Sequence, residues 1–177
     1  MLFRHLELLV RWNRRINLTS IRRPEDIVLR HFGESLFVAT SLPVRTGHFV
    51  DIGSGAGFPG VPVAVALPGT QVTLVESVGK KAAFLKEVAR GVRNVRVFSG
   101  RFEDVEDRFD WALVRAVSID RLQEPIRRKA RRLAVMTTTS RTITIPGIDW
   151  QTPKAVPWDP SRILVIGTFH VERPVTD

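Results

Sequence analysis

The sequence has no cysteine, little lysine and no long apolar segment. The absence of cysteine excludes disulfide bonds, cysteine metal sites and thiol nucleophiles, and it suits a reducing compartment. No apolar run approaches the roughly 20 residues that a membrane-spanning helix requires, and the N-terminal segment lacks the residue order of a secretory signal. We therefore expect a cytoplasmic protein with no membrane association and no metal site.

Positive charge is in excess, and arginine carries most of it. The formal net charge is +9, and only five of the 27 basic residues are lysine. Arginine presents a planar fork that matches phosphate and stacks on bases. Residues 1–23 carry six Arg and one Glu, and residues 121–132 carry five Arg, one Lys and one Glu. We interpret both segments as nucleic-acid-binding surfaces, with solvated faces of amphipathic helices as the alternative. The candidate contacts are Arg14, Arg15, Arg22, Arg127 and Arg128.

The middle of the chain alternates between strand and helix patterns. The predicted strands are His48–Ile52, Gln71–Val75, Val95–Ser99 and Phe109–Val114. The predicted helices are Gly60–Leu67, Lys80–Arg90 and Ile119–Arg132. This alternation predicts an α/β fold with a doubly wound, mostly parallel sheet.

The two ends of the chain depart from that alternation. Apolar spacing and an early proline predict two N-terminal helices, Leu2–Arg15 and one from Pro24 to about Leu42. The tail predicts strands Ala134–Thr139, Thr142–Ile145 and Arg162–Phe169, with an antiparallel hairpin at one sheet edge. The length fits one domain, with a helical cap at 1–43 and a cofactor-binding core at 48–177.

A glycine-rich turn follows the first predicted strand, which ends on Asp51. Gly53, Gly55 and Gly57 alternate through the turn, and a short helix follows them. Glycine serves there because a Cβ would collide with a ligand or because φ must be positive. A strand, a bare-backbone turn and a helix in this order indicate a site for an adenosine cofactor.

Two kinds of cofactor fit the turn. Gly55, Gly57 and Gly60 match the dinucleotide fingerprint in a shifted frame, which would indicate NAD. Pro59 and its neighbour Pro62 remove two backbone donors that a pyrophosphate would use at the helix start. Asp51 stands where it can meet a cationic amino acid group, and the surface is basic. These features favour a sulfonium cofactor over NAD.

Residues at the ends of three further predicted strands complete the candidate site. Glu76 can accept both ribose hydroxyls, although a surface acid near Lys80 and Lys81 is the alternative. Phe102 can lie on an adenine ring or belong to the core. Arg115 ends an apolar strand at the edge where ligands bind, and a structural ion pair with Asp110 or Asp51 is its alternative role.

The chain resembles the GidB/RsmG family over roughly residues 11–122. The segment Trp12–Ser20 resembles the family pattern W-N-x-x-x-N-L-T, and Arg30, His31 and Ser35 resemble R-H-x-x-D-S. Glu34 stands where that pattern has Asp. The glycine loop ends in the unusual Phe58-Pro59-Gly60. Further matches are Gly79-Lys80-Lys81, Phe84-Leu85, Arg101-Phe102-Glu103 and Arg115-Ala116.

The resemblance implies a Rossmann-like class I methyltransferase fold and an S-adenosyl-L-methionine-dependent enzyme that acts on N7 of a guanine in small-subunit (16S) ribosomal RNA. The implied cofactor contacts are Gly53, Phe58, Phe102, Glu103 and Arg115, and they join Asp51, Gly55, Gly57 and Glu76 from the strand and loop pattern. The implied catalytic residues are Arg115, Asn17 and His31. The implied partner is ribosomal RNA or the small subunit, and we expect a monomer.

The chemistry needs few catalytic groups. Guanine N7 has a free lone pair and no proton to lose, so alignment supplies most of the acceleration and no general base is required. Arg115 is the candidate for orienting the acceptor, because guanine O6 and N7 accept arginine donors. The alternatives are a methyltransferase with another acceptor, an RNA-binding protein with this fold but without turnover, and an NAD-dependent oxidoreductase.

Overall fold

The computed structural model describes residues 1–170, so the last seven residues of the predicted single domain lie outside the described part. The helices are α1 (Leu2–Asn13), α2 (Pro24–Ile27), α3 (Glu34–Ser41), α4 (Gly60–Ala66), α5 (Gly79–Ala89) and α6 (Gln123–Lys129). A π-helical segment, Val28–Gly33, joins α2 to α3, and a 3-10 turn spans Phe102–Asp104. None of the helices in residues 1–170 is long and apolar enough to cross a membrane.

One eight-stranded sheet organises the chain. Its strands are β1 (Thr46–Ile52), β2 (Gly69–Glu76), β3 (Val95–Ser99), β4 (Phe109–Arg115), β5 (Ala130–Thr138), β6 (Ile148–Trp150), β7 (Lys154–Val156) and β8 (Asp159–Phe169). The order is β3-β2-β1-β4-β5-β8-β6, and β7 also pairs with β8. The first five strands are parallel, and β8 is antiparallel to β5, β6 and β7. The predicted mostly parallel, doubly wound sheet with an antiparallel C-terminal edge is confirmed.

The strands alternate their side chains between two apolar clusters, as the period of two requires. Phe49 and Trp111 point to the first cluster, which the N-terminal helices together with α4 and α5 cover. Val50 and Ala112 point to the second cluster, beneath α6 and the 3-10 turn. Because the chain crosses one face from β1 to β3 and the other face from β3 to β5, the carboxyl ends of β1 and β4 are neighbours at the reversal point.

The tail and the last helix differ from the prediction. The predicted helix Ile119–Arg132 is shorter, and β5 begins at Ala130, because pairing with β4 places Arg132 opposite Trp111 and outweighs the helical pattern. The guanidinium of Arg132 lies 5.4 Å from the Trp111 ring centroid. The predicted strand Thr142–Ile145 is wrong. Those residues form no strand, and the pairing with β8 begins only after the turn at Gly147, whose φ is +70°.

Candidate active site

A cavity of about 570 Å³ opens beyond the carboxyl ends of β1 and β4, between the glycine loop and the N-terminal helical layer. Ligands of open α/β sheets bind at such a reversal point. The loop lines one wall with Gly53, Ser54, Gly55, Ala56 and Phe58. The opposite walls are formed by Leu18, Thr19, Ser20, Ile21, Arg30, His31, Glu34, Lys81, Arg115, Ala116, Val117, Asp159, Ser161 and Arg162.

The glycine loop uses left-handed backbone at Gly53, Gly55 and Gly57, with φ of +69°, +55° and +88°. A Cβ on Gly53 would lie 2.6 Å from a methyl group of Val117, whereas a Cβ on Gly55 would meet nothing closer than a carbonyl 3.8 Å away. Gly55 therefore faces open space in the cavity. The peptide bond between Phe58 and Pro59 is cis.

Glu76 holds the glycine loop from the end of β2. Its carboxylate accepts one hydrogen bond from the Gly55 N–H at 2.9 Å and another from the Val78 N–H at 2.8 Å. Glu76 is buried. The alternative of a surface acid near Lys80 and Lys81 is therefore wrong. Each oxygen keeps a second lone pair with which to accept a further donor.

Asp51 supports the loop from below and does not line the cavity. Its Oδ2 accepts a hydrogen bond from the Gly60 N–H at 3.0 Å, while its buried Oδ1 has no partner within the described residues. Burial raises the pKa of Asp51 to about 7, and the Gly60 hydrogen bond lowers it in part. A Cβ on Gly60 would lie 2.6 Å from this carboxylate, so the two residues pack without space for a side chain.

Phe58 lies between two histidine rings. His5 from α1 stacks on it with centroids 4.8 Å apart, and His31 from the π-helical segment stacks on it at the same distance. Phe32 meets the same ring edge-on at 4.9 Å. The glycine loop is thereby fastened to the N-terminal helical layer, which forms part of the cavity wall.

His31 lines the cavity and shares a hydrogen bond of 2.8 Å between its Nε2 and Thr19 Oγ1. Burial lowers its pKa to about 3, with Arg115 and other cations adding to the shift. The imidazole is therefore neutral near pH 7, and it is not an anion-binding cation.

Arg115 lines the cavity, as predicted, and is held by Glu34. Its Nη2 lies 3.1 Å from Glu34 Oε2 and donates to the Arg30 carbonyl at 2.8 Å. The same Glu34 oxygen accepts from Arg162 Nη2 at 3.0 Å. The ion pair is therefore with Glu34, and not with Asp110 or Asp51 as the alternative role required; Asp110 instead accepts from the His48 N–H at the other end of the sheet.

The segment after α1 carries several of the predicted site residues. Asn13 shapes it, because its side-chain oxygen accepts from the N–H groups of Leu18 and Thr19 and its amide donates to the Thr19 carbonyl. The neighbouring Asn17 is exposed and does not line the cavity. The predicted RNA contacts of this region are exposed and lie close in sequence to the lining segment 18–21. They are Arg14, Arg15 and Arg22.

Phe102 and Glu103 lie on the 3-10 turn after β3, away from the cavity lining. Phe102 is buried in the second apolar cluster, as its alternative core role required, and Glu103 is exposed. Lys129 binds this turn, with its Nζ donating to the carbonyls of Phe102 and Glu103 at 3.1 and 2.7 Å.

The second arginine cluster lies at the opposite end of the sheet from the cavity. Its helix α6 leads directly into Ala130, which pairs with Phe109 at the amino end of β4, whereas Arg115 is at the carboxyl end. Six residues of strand separate these ends by roughly 20 Å. Arg127 and Arg128 both hydrogen-bond to Glu124.

Sequence reasoning missed several residues that line the cavity. Glu34 was noted only as a departure from a motif, and Arg30 only as part of one. Arg162 had no signal at all, because it is a single arginine in a strand of the tail. Ser54 and Ala56 lie inside the glycine loop, so the loop pattern itself was the signal for them.

Comparisons with known proteins place this geometry in a family. Residues 1–136 match the GidB family, described as rRNA small subunit methyltransferase G. The chain belongs to the GidB family. The relationship predicted from the W-N…N-L-T segment and the glycine loop is thus confirmed.

Named relatives share almost half of their matched residues with this GidB-family chain. The ribosomal RNA small subunit methyltransferase G of Xylella fastidiosa (strain 9a5c) is 46% identical over 123 residues, which cover 68% of this chain and 57% of the relative. That of Aquifex aeolicus is 46% identical over 119 residues, covering 64% and 61%. The chain therefore spans about three fifths of the length of these relatives.

Solved structures agree on the fold at low sequence identity. MtNAS in complex with MTA and tNA superposes with a TM-score of 0.69 at 18% identity, covering 94% of this chain and 71% of that one. Magnesium protoporphyrin IX methyltransferase (ChlM) from Synechocystis, solved with bound SAM, gives a TM-score of 0.66 at 13% identity, covering 94% and 97%. Both likenesses support the Rossmann-like methyltransferase fold.

Proposed function

We propose that this protein transfers a methyl group from S-adenosyl-L-methionine to N7 of a guanine in small-subunit (16S) ribosomal RNA. One observation carries the proposal. The part of the chain that matches rRNA small subunit methyltransferase G, residues 1–136, also supplies most of the cavity lining, including the glycine loop and Arg115.

The residues at the cavity fit an adenosyl sulfonium cofactor. Gly55 presents backbone to open space, and Glu76 behind it has lone pairs left to accept hydroxyl donors. In this proposal the lining residues Gly53, Gly55 and Phe58 contact the cofactor, and Arg115 lies where cofactor and acceptor meet. Glu76 accepts the ribose hydroxyls, while Asp51 and Gly57 act by holding the loop in shape. Phe102 and Glu103 belong to the adenosine side, where β3 ends beside β2.

The bound cofactor supplies an electrophilic methyl group. The residues of the chain bind and align the acceptor, since guanine N7 attacks with its own lone pair and releases no proton. Arg115 orients the guanine, because an arginine donates readily to O6. His31, neutral at pH 7, belongs to the N-terminal wall that positions the acceptor, and the exposed Asn17 contacts the acceptor from outside the cavity. Burial and the ion pair with Glu34 keep Arg115 in one place for this role.

The partners follow from the same proposal. Ribosomal RNA or the small ribosomal subunit is the macromolecular substrate, and the protein acts as a cytoplasmic monomer built as one domain, with the cap at 1–43. Arg14, Arg15 and Arg22 are exposed, lie close in sequence to the lining segment 18–21, and make the first RNA contacts. Arg127 and Arg128 make contacts only if the RNA reaches the opposite end of the sheet.

The first experiment is a calorimetric titration of the protein with S-adenosylmethionine, S-adenosylhomocysteine and NAD, followed by incubation with small-subunit RNA and isotope-labelled cofactor. We expect binding of the first two ligands at micromolar concentration, no binding of NAD, and label on one guanine as 7-methylguanine. Binding of NAD alone would overturn the cofactor assignment. Cofactor binding without label on RNA would favour another acceptor or an RNA-binding protein without turnover.

A further inference from the structure

The cavity contains a charge cluster built from three distant parts of the chain. Glu34 at the start of α3 accepts a hydrogen bond from Arg162 on β8 and forms an ion pair with Arg115 on β4, both through the same oxygen. Its side chain is 4% exposed, against 11% for Arg115 and 24% for Arg162. Two guanidiniums share one carboxylate, so the cluster retains one net positive charge at the cavity wall.

The guanidiniums have donors to spare. A guanidinium carries five N–H donors, and Glu34 accepts one from Arg162. Arg115 donates to the Arg30 carbonyl, while the buried Nε of Arg162 has no partner within the described residues. Unused donors beside excess positive charge indicate a site that is completed by an oxyanion.

The remaining charged groups of the cavity add to this preference. Arg30 and Lys81 also line it, and Asp159 is the one other carboxylate that the described residues bring to the lining. Asp159 is engaged by Ser161, whose N–H and hydroxyl donate to Asp159 Oδ1 at 3.2 and 2.6 Å. His31 is neutral because its pKa is lowered. The lining therefore carries four cations against two anions.

The position of Arg162 identifies which ligand supplies the oxyanion. The glycine loop follows β1, and β8 is three strands away across β4 and β5. Three spacings of about 4.8 Å place the two strands roughly 14 Å apart, on the side away from β2 and Glu76. A cofactor that lies along the glycine loop toward β2 extends away from Arg162. The end of the cavity at Arg162 is therefore the acceptor end.

We propose that Arg162, held beside Arg115 by Glu34, forms a subsite for a phosphate group of the RNA acceptor whose guanine Arg115 orients. This inference rests on the proposed function, and it assigns a role to the part of the tail that lies beyond the family match. Glu34 is a positioning residue, because it acts through the two arginines. The forked guanidinium geometry suits a phosphate better than a lysine would.

The test measures the cofactor and the RNA separately for Arg162→Met and Arg162→Lys. We expect Arg162→Met to raise the KM for small-subunit RNA about tenfold and to flatten the log–log salt dependence of RNA binding by about one unit. The calorimetric affinity for S-adenosylmethionine should stay within about twofold of wild type, since the subsite is at the acceptor end. Arg162→Lys should have the salt dependence of wild type, because it keeps the positive charge. Its KM for RNA should lie between those of wild type and Arg162→Met, because it loses the forked guanidinium.

Glu34 variants test the positioning role. Glu34→Gln removes the shared charge and should lower methylation with little change in cofactor affinity, and Glu34→Asp should rescue much of it. Arg93→Met is the matched control, because Arg93 is an exposed arginine in the turn before β3 and is not in the cavity lining. Thermal unfolding of each variant identifies loss of fold, and the Arg162 variants test the subsite even if Glu34→Gln does not fold.

Two results would overturn the subsite while leaving the proposed function intact. If the wild-type protein methylates RNA and Arg162→Met has the same KM for RNA and the same salt dependence of RNA binding, the cluster is a structural ion pair. If Arg162→Met lowers the affinity for S-adenosylmethionine at least as much as the affinity for RNA, the oxyanion is the cofactor's own carboxylate. A wild-type protein that binds S-adenosylmethionine but no small-subunit RNA would instead overturn both the subsite and the RNA substrate.

Discussion

The imidazole of His5 lies on the ring of Phe58, with centroids 4.8 Å apart and planes inclined by 17°. The same imidazole hydrogen-bonds through Nε2 to the Ala56 carbonyl at 2.8 Å, and the residue is 1% exposed. A single side chain of α1 therefore contacts the glycine loop through its backbone and through its aromatic ring. The stability of the loop depends on the N-terminal helix.

His5→Ala is expected to lower the free energy of unfolding by about 2–4 kcal/mol, because it removes a buried ring and one hydrogen bond to the loop. Urea denaturation measures this change. Phe3→Ala is the matched control on the same helix. Phe3 is 71% exposed, so its loss should change stability by less than about 0.5 kcal/mol. Equal effects of the two substitutions would contradict the role of His5 in fastening the loop.

The stability of the protein should fall as the pH falls from about 6.5 toward 4. Burial lowers the pKa of His5 to about 4 and that of His31 to about 3, from an unfolded value of 6.5, so the unfolded chain binds protons first in this window. Asp51 acts in the opposite direction. Its pKa is raised from 3.8 to about 7, so the folded state gains stability as the pH falls from about 7 toward 4.

The effect of the two histidines exceeds that of the one carboxyl group. The folded protein therefore loses stability overall as the pH falls from about 6.5 to 4. His5→Phe should reduce the slope of unfolding free energy against pH by about 1 kcal/mol per pH unit in this window. Denaturation at pH 4.5, 5.5 and 6.5 measures it. His48→Phe serves as the comparison, because His48 is exposed on β1. An unchanged slope in His5→Phe would mean that His5 is not buried in its neutral form.

Gly55→Asp is expected to abolish binding of S-adenosylmethionine while the protein remains folded. Aspartate tolerates the left-handed backbone better than most residues, and its Cβ would enter open space in the cavity. Calorimetry measures the binding, and circular dichroism checks the fold. Gly60→Ala supplies the contrast. Its Cβ would lie 2.4 Å from a methyl group of buried Leu74, so this variant should lose stability as well. Unaltered cofactor affinity in Gly55→Asp would refute the loop assignment.

Charge removal distinguishes the two arginine clusters. Replacing Arg14, Arg15 and Arg22 with glutamine should weaken small-subunit RNA binding and flatten its salt dependence by up to about three units, because these exposed residues lie close in sequence to the lining segment 18–21. The Arg127→Gln and Arg128→Gln double variant should have a smaller effect, since α6 is at the opposite end of the sheet. Filter binding at several salt concentrations measures both. A larger loss of RNA affinity in the second variant would place the main RNA-binding surface near α6 instead.

Arg115→Met should lower the rate of RNA methylation at least about tenfold and change cofactor affinity by less than about threefold, if the residue orients the acceptor. Single-turnover methylation and calorimetry separate the two quantities. Equal losses in both would assign Arg115 to the cofactor instead. Arg115→Lys tests whether charge alone is sufficient, because it keeps the positive charge and loses the planar guanidinium.

Local sequence patterns predicted the structure correctly where a helix, strand or loop depends on consecutive residues of the chain. The alternation of apolar runs with helical spacing predicted β1 to β4 and the helices between them within a few residues. The glycine loop was recognisable because positive φ at Gly53, Gly55 and Gly57 restricts those positions to one residue type. The motif around Trp12, together with the Phe58-Pro59-Gly60 ending of the loop, was sufficient to identify the family.

Local sequence patterns failed where pairing with a strand from a distant part of the chain decides the structure. The charged stretch before residue 132 has helical spacing, yet Arg131 and Arg132 belong to β5 because hydrogen bonds to β4 are available there. The tail forms two short strands, β6 and β7, that no local periodicity indicated. Both exist because β8 offers them an edge.

The sequence by itself determined the family, the parallel sheet and the position of the glycine loop, because each depends on residues that are adjacent or evenly spaced along the chain. Only the tertiary structure decided that Glu34 joins Arg115 to Arg162, and that His5 meets Phe58. Glu34 and Arg162 are 128 positions apart in the sequence, and His5 and Phe58 are 53 positions apart. Such contacts depend on how helices and strands pack, which no short sequence pattern encodes.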